Sequence, residues 1–288
     1  MSIKESLQIA RELGKVRISL PVSLSALAGF VLLDGHLGFS SFMLAAGVFL
    51  MSCGSATINH IQESATDRLM SRTRARPIPS GRISLAGAWL AASLFILSGS
   101  VILLTGFPVM ALLLSWVTHF LYNGLYTPLK RYTAFAVIPG SVTGALPPVI
   151  GWAAAGGGIL DSQILLVATF FFIGQIPNFW LLLLMFGDQY QEAGLPTLNQ
   201  IFRPAQIKQI SFVWILATMA SAFLVIGYVF TNKIIVLLML GYVFFLIVSL
   251  VVRFLFQREF KPLAAFYRLN FLYLLMMVML IAEGLVRS

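Results

Sequence analysis

Three residues set four apart, Asn59, Glu63 and Asp67, carry the first chemical signal in this sequence. On a helix that spacing lines up an amide oxygen and two carboxylates on one face. The set suits a hard cation such as Mg2+, which takes oxygen ligands and bridges readily to phosphates. Arg68, Arg72, Arg74 and Arg76 follow directly. Guanidinium groups grip phosphate oxygens bidentately, so metal-holding carboxylates beside arginines describe a diphosphate site. A merely basic loop would account for the arginines. It would not account for acids at the end of an apolar run, which are costly there unless paired.

Two further segments extend the pattern. In Tyr126-Thr-Pro-Leu-Lys130-Arg131, the two cations are placed to grip a second phosphate, with Tyr126 donating a hydrogen bond. Asp188 and Glu192 are again four apart. They form a second acidic pair after another long apolar run. The expectation is two metal-holding walls of one cavity, with Asn59, Glu63, Asp67 and Asp188 catalytic and Glu192 an added ligand. Metal and arginines would neutralise charge developing on a departing diphosphate. The allylic cation left behind must be kept from water until an acceptor captures it. Phe179, Trp180 and Tyr190 lie near the second pair and offer ring faces to such a cation.

These groups have to be positioned by a membrane protein. Of 288 residues, 59% are hydrophobic and only 10% charged, against roughly 25% charged in a soluble domain, and the mean hydropathy is +0.93. Secreted disulfide domains, disordered chains and single-pass proteins are excluded, and Cys53, the only cysteine, has no intramolecular partner. Apolar runs of bilayer length predict an all-α polytopic bundle of about nine spans, at 18–33, 41–59, 84–105, 108–125, 134–155, 163–185, 210–230, 234–252 and 265–285. Residues 1–17 read as a polar cytoplasmic segment without a cleavable signal. Residues 18–286 read as one transmembrane domain, with inner loops at 60–83, 126–133 and 186–209.

With the N-terminus inside, segments 1–17, 60–83, 126–133, 186–209 and 253–264, together with Arg268, hold every lysine and arginine except Lys233 and Arg287. That asymmetry orients the bundle. It also accounts for the net charge of +9 without a nucleic-acid partner. Gly140 and Gly144, four apart, are a candidate small-residue packing seam. Pro147, Pro148 and Pro177 fall inside spans and should shape the bundle.

The motifs, in order, resemble the UbiA family of intramembrane prenyltransferases, and within it the protoheme IX farnesyltransferase (heme O synthase) branch. Asn59, Glu63, Asp67, Met70, Arg72, Thr73, Arg76 and Pro77 fill the first motif. Tyr126 to Thr133, Gly144-Ala-Leu-Pro-Pro148 with Gly151-Trp152, Gln175-x-Pro-x-Phe-Trp180, and Asp188-x-Tyr190-x-x-Ala-Gly-Leu-Pro196 are similar to the rest. The resemblance spans roughly residues 20–285. It implies nine helices around a central cavity and Mg2+-dependent transfer of a prenyl group. In the heme branch the donor is farnesyl diphosphate and the acceptor a vinyl group of protoheme IX.

Three positions depart from the pattern. Glu63 stands for Asp, Asn178 for a His of the heme branch, and Gln189 for a second Asp. Asn178, with Trp180 and Tyr190, is then a candidate acceptor or cation contact, and His60 and His119 are conceivable heme contacts. A bacterial inner-membrane location with a cytoplasmic active site follows. An aromatic or lipid acceptor is the alternative within the family. A transporter is the alternative outside it, and a relative that binds the diphosphate without turnover is a third. A transporter would place its acids at mid-membrane, whereas these gather at the rim. Asp67→Asn or Asp188→Asn is expected to abolish turnover at little cost in folding.

Overall fold

The chain was analysed as a computed structural model that describes residues 2–256 and 262–287. Among the described residues nine helical segments are long and apolar enough to cross a membrane, one at each expected place. In chain order the helices are α1 (Ile3–Leu13), α2 (Val16–Asp34), α3 (Phe39–Leu69), α4 (Leu85–Gly106), α5 (Val109–Phe120), α6 (Thr127–Leu129), α7 (Val137–Ala154), α8 (Ser162–Glu192), α9 (Pro204–Tyr228), α10 (Lys233–Phe256) and α11 (Pro262–Arg287). Part of the 253–264 connection expected from the sequence lies outside the described residues.

Two helices overshoot their expected ends. Helices α3 and α8 each run 31 residues, about 46 Å at 1.5 Å per residue, against a hydrocarbon core of about 30 Å. Nothing in Asn59–Leu69 breaks a helix, so the polar continuation carries the first acidic row beyond the apolar run. Helix α8 continues until Gly194 takes a left-handed φ of 73°. The Gly194 N–H then bonds Gln191 O and the Leu195 N–H bonds Tyr190 O. This pair of bonds closes the helix end as a Schellman motif, which explains the Ala-Gly-Leu sequence there and fixes the turn bearing Tyr190.

The polar N-terminal segment is also helical. In α1, Ser2 and Glu5 form a reciprocal capping box, and Ile9 and Leu13 pack on Ile78 and Ala88. Glu12 receives two bonds from Arg82, at 2.5 and 3.1 Å, which ties α1 to the loop after α3. Arg82 draws the Glu12 carboxyl below its usual range.

Close helix packing falls elsewhere than the expected glycine seam. Gly140 and Gly144 receive side chains, the Tyr126 ring and Gln175. Tight backbone approaches lie on α2, where a Cβ on Gly151 of α7 would meet the Ala26 carbonyl, one on Gly29 the Pro148 carbonyl and one on Gly284 of α11 the Val31 carbonyl. Backbone cannot step aside as a side chain can. Gly151→Val is therefore expected to destabilise by at least the roughly 1–3 kcal/mol of an overpacked core. Thermal unfolding in detergent measures this, and an unchanged midpoint would contradict the packing.

Candidate active site

A cavity of about 340 Å3 opens between α2, α3, α5, α7 and α8. Its rim is charged and its interior mostly apolar. On α3, Asn59, Glu63 and Asp67 all line it, as the four-residue spacing requires. Each is already engaged by a cation of the same chain. Arg76 donates to both oxygens of buried Asp67, at 2.8 and 2.7 Å. Lys130 Nζ lies 2.5 Å from Glu63 Oε1. Lys15 Nζ lies 2.5 Å from Asn59 Oδ1, and the Asn59 amide donates to Thr127 Oγ1 at 3.1 Å. Burial works against the Lys130 charge, but Glu63 outweighs it and holds the ammonium above its ordinary pKa. Burial pushes the Lys15 ammonium down to about 7, although Glu63 pulls the other way.

A π-helical turn at Leu121–Tyr126 joins α5 to α6. Such turns widen a helix locally and recur at functional sites. This one brings both Tyr122 and Tyr126 to the cavity. Tyr126 stacks edge-on with Phe179 at 5.7 Å, and the Lys130 ammonium sits 5.3 Å from its ring centre. Asn123, on the same turn, donates to Ser55 O and accepts from Gln62 through its carbonyl, each at 2.9 Å, which pins the turn to α3. Deeper in the cavity Ser55 Oγ and His119 Nδ1 lie 2.7 Å apart.

From the opposite wall α8 contributes Phe179, Leu182, Leu183 and Tyr190. Arg72 crosses to this wall, donating to Tyr190 OH at 3.2 Å and lying 5.2 Å from the Phe186 ring centre. Arg72 of the first loop thus reaches the second motif.

Of the expected site residues, the structure gathers Asn59, Glu63, Asp67, Arg72, Arg76, Tyr126, Lys130, Phe179 and Tyr190 around one cavity. It does not bring the others there. Asp188 and Glu192 are exposed and off the cavity lining. Arg68 is exposed on the last turn of α3, and Arg131 donates to Gln62 O at 2.5 Å. Asn178 faces α11, 3.4 Å from Asn270. Trp180 packs in a core cluster with Ile176 and Ile207. His60 is buried outside the cavity lining, whereas His119 lines it. Lys15 and Tyr122 are site residues that the sequence reading missed.

Among the described residues no three His, Cys, Asp or Glu side chains lie close enough to hold a metal by themselves. Two carboxylates and an amide oxygen on α3 nevertheless form a hard donor set. That set fits Mg2+, which commonly completes its shell with water and substrate phosphate.

Residues 22–275 match the UbiA prenyltransferase family. This chain is a member of that family. The UbiA-family chain is 37% identical over 218 residues to a protoheme IX farnesyltransferase of Oleidesulfovibrio alaskensis, covering 76% of this chain and 77% of that one. It is 41% identical over 184 residues to a protoheme IX farnesyltransferase of Geobacter sulfurreducens, covering 62% and 66%. Among solved structures it superposes on a UbiA homolog from Archaeoglobus fulgidus bound to GPP and Mg2+ with a TM-score of 0.71 at 15% identity, over 96% of this chain and 99% of that one. A digeranylgeranylglyceryl phosphate synthase gives a TM-score of 0.72 at 16% identity, over 98% and 99%. These likenesses establish the UbiA fold and a multi-pass membrane protein.

Proposed function

We propose that this protein transfers the farnesyl group of farnesyl diphosphate to a vinyl group of protoheme IX, giving heme O, with Mg2+ required. The carrying observation is a cavity that joins the oxygen-and-cation rim on α3 to an interior lined by His119, Ser55, Met51, Val48 and Ile150. The 37% identity to a protoheme IX farnesyltransferase over most of both chains supports the acceptor. The lysine and arginine asymmetry supports placing the rim on the cytoplasmic face of a bacterial inner membrane.

The rim residues bind and orient the diphosphate. A bound Mg2+ supplies Lewis-acid stabilisation of the charge that gathers on the leaving group. Arg72, Arg76 and Lys130 supply fixed positive charge for the same purpose. The C1–O bond breaks with its electron pair leaving on the diphosphate, and the acceptor's vinyl electrons close on C1. The cation thus formed next to the porphyrin is captured by water, which then releases a proton. Tyr122, Tyr126 and Phe179 line the zone between rim and interior, where their ring faces shield and stabilise the allylic cation. Ser55 orients the His119 imidazole, which faces the acceptor.

Purified protein given labelled farnesyl diphosphate, heme and Mg2+ should release pyrophosphate and form a farnesylated heme detectable by mass. Transfer only to aromatic or lipid acceptors would replace heme in this reading, and no pyrophosphate release with any allylic donor would sink it. Arg72→Ala is expected to raise the donor KM about tenfold, as loss of one charged hydrogen bond does, with kcat little changed. His119→Ala should weaken heme binding, read from the Soret band, and leave pyrophosphate binding intact.

A further inference from the structure

Polar side chains are out of place in a chamber that has only to hold an isoprenoid tail. The interior nonetheless carries Ser52, Ser55 and His119 beside Val48, Met51 and Ile150. Hydroxyls in apolar helices often close on their own backbone, as Thr57, Ser115 and Thr118 do on carbonyls one turn back, each at 2.8 Å. Ser52 and Ser55 turn away from the α3 backbone instead. Ser52 donates to Ser19 Oγ at 3.0 Å, and Ser55 Oγ lies 2.7 Å from His119 Nδ1. Their spacing of three sets both hydroxyls on one face of α3.

An imidazole held in this way has one nitrogen left. Trp116 meets the His119 ring edge-on with centres 5.4 Å apart, and Ser55 engages Nδ1, so Nε2 is the nitrogen that remains for the chamber. With Nδ1–H donating to Ser55, Nε2 carries the acceptor lone pair and the Ser55 hydroxyl keeps its own proton to donate. Together with the Ser52 oxygen, these groups supply the two to four polar partners that an ordered water requires.

The heme-acceptor reading above needs a water there. Joining farnesyl C1 to the vinyl terminus leaves the positive charge on the carbon attached to the porphyrin. That cation has two exits. It can lose a proton from the neighbouring carbon and become an alkene, or bond a water oxygen and become an alcohol. In a chamber that keeps bulk water out, the second exit depends on a water already in place.

We propose that His119 is the base for this step: with Ser55 it holds one water against the cation, and as the water oxygen bonds to carbon a water proton passes to Nε2. The imidazolium returns that proton to solvent as the product leaves. Ser55 is a positioning residue that acts through the ring. This rests on the heme-acceptor reading, and the outcomes below separate the two.

The test uses the full chain in detergent with farnesyl diphosphate, saturating heme and Mg2+ in heavy-oxygen water. The readout is the ratio of alcohol to alkene among the farnesylated hemes, which differ in mass by one water. Weaker heme binding or partial unfolding lowers both products together and leaves the ratio alone. The parent should give the alcohol carrying the heavy label. His119→Gln should lower the ratio about 10²-fold, the lower end of what a positioned base contributes. Ser55→Ala should shift it the same way by less, and Ser55→Thr should restore it. The parental ratio in His119→Gln would overturn the proposal while leaving the transferase reading intact. If that variant makes too little product to read, the parental ratio in Ser55→Ala overturns it in the same way. No farnesylated heme from the parent would sink the heme-acceptor reading itself.

Discussion

Asp67→Asn should lower prenyl transfer by about 10²–10³-fold, the cost of removing one preorganised electrostatic group from a site of this kind. The loss should appear in kcat and persist at saturating Mg2+. The structure adds a second effect absent from the sequence-based expectation of intact folding. Asp67 is 1% exposed and receives both hydrogen bonds of the Arg76 guanidinium, while its backbone carbonyl accepts from Thr73 Oγ1. Removing one partner of a buried ion pair strands the other. Arg76 is 23% exposed and retains some water, so the stability cost falls to about 1–3 kcal/mol, as for an unsatisfied polar group. Product mass measures the first effect and thermal unfolding in detergent the second. Activity within tenfold of the parent would remove Asp67 from the machinery.

Glu283→Ala should do the reverse, damaging the fold and sparing the chemistry. Glu283 is fully buried on α11, at the end of the bundle away from the charged rim. It accepts from the Thr231 N–H and hydroxyl, each at 2.6 Å, from the Asn232 N–H at 3.2 Å and from Arg287 Nε at 2.9 Å. Arg287 also donates to the Val229 carbonyl. One carboxylate thus satisfies the turn between α9 and α10 and holds it to α11. Its removal leaves the Thr231 and Asn232 amides unmatched, at about 1–3 kcal/mol for each buried donor left unsatisfied, while Arg287, 26% exposed, keeps water and the Val229 carbonyl. The unfolding midpoint should drop steeply. At low temperature the remaining folded protein should keep a kcat close to the parent's, and a large loss of kcat there would mean that this end of the bundle acts on the site.

The spans were legible because length and hydropathy are properties of consecutive residues, and all nine fall where the apolar runs place them. The α3 row was legible for a similar reason, since a spacing of four defines a face once the helix is granted. Spacing does not say what that face meets. Asp188 and Glu192 share a spacing with Glu63 and Asp67, yet they turn outward while Tyr190, between them in sequence, turns in. Lys15 was hidden in a polar N-terminal stretch whose capping box makes it a helix and whose exit is a left-handed residue. The widening at Leu121–Tyr126 has no pattern of its own, and only the tertiary contacts of Asn123 with α3 explain it. The glycines show the same limit. Gly140 and Gly144 have the seam spacing, but only the packing reveals that backbone meets backbone at Gly29 and Gly151 instead.

The three oxygen-bearing groups of α3 are each held by a cation from elsewhere in the chain, and under the proposed function this arrangement would couple the loading of ion and anion. A divalent ion held by Asn59, Glu63 and Asp67 would compete with Lys15, Lys130 and Arg76 for these oxygens, and the cations so released would be available to phosphate oxygens. Ion without anion would leave three cations crowded and unmatched, and anion without ion would leave two carboxylates facing it. Each ligand would then raise the affinity for the other by the same factor. On departure of pyrophosphate the internal pairs would re-form, so release would reset the chamber for the next donor.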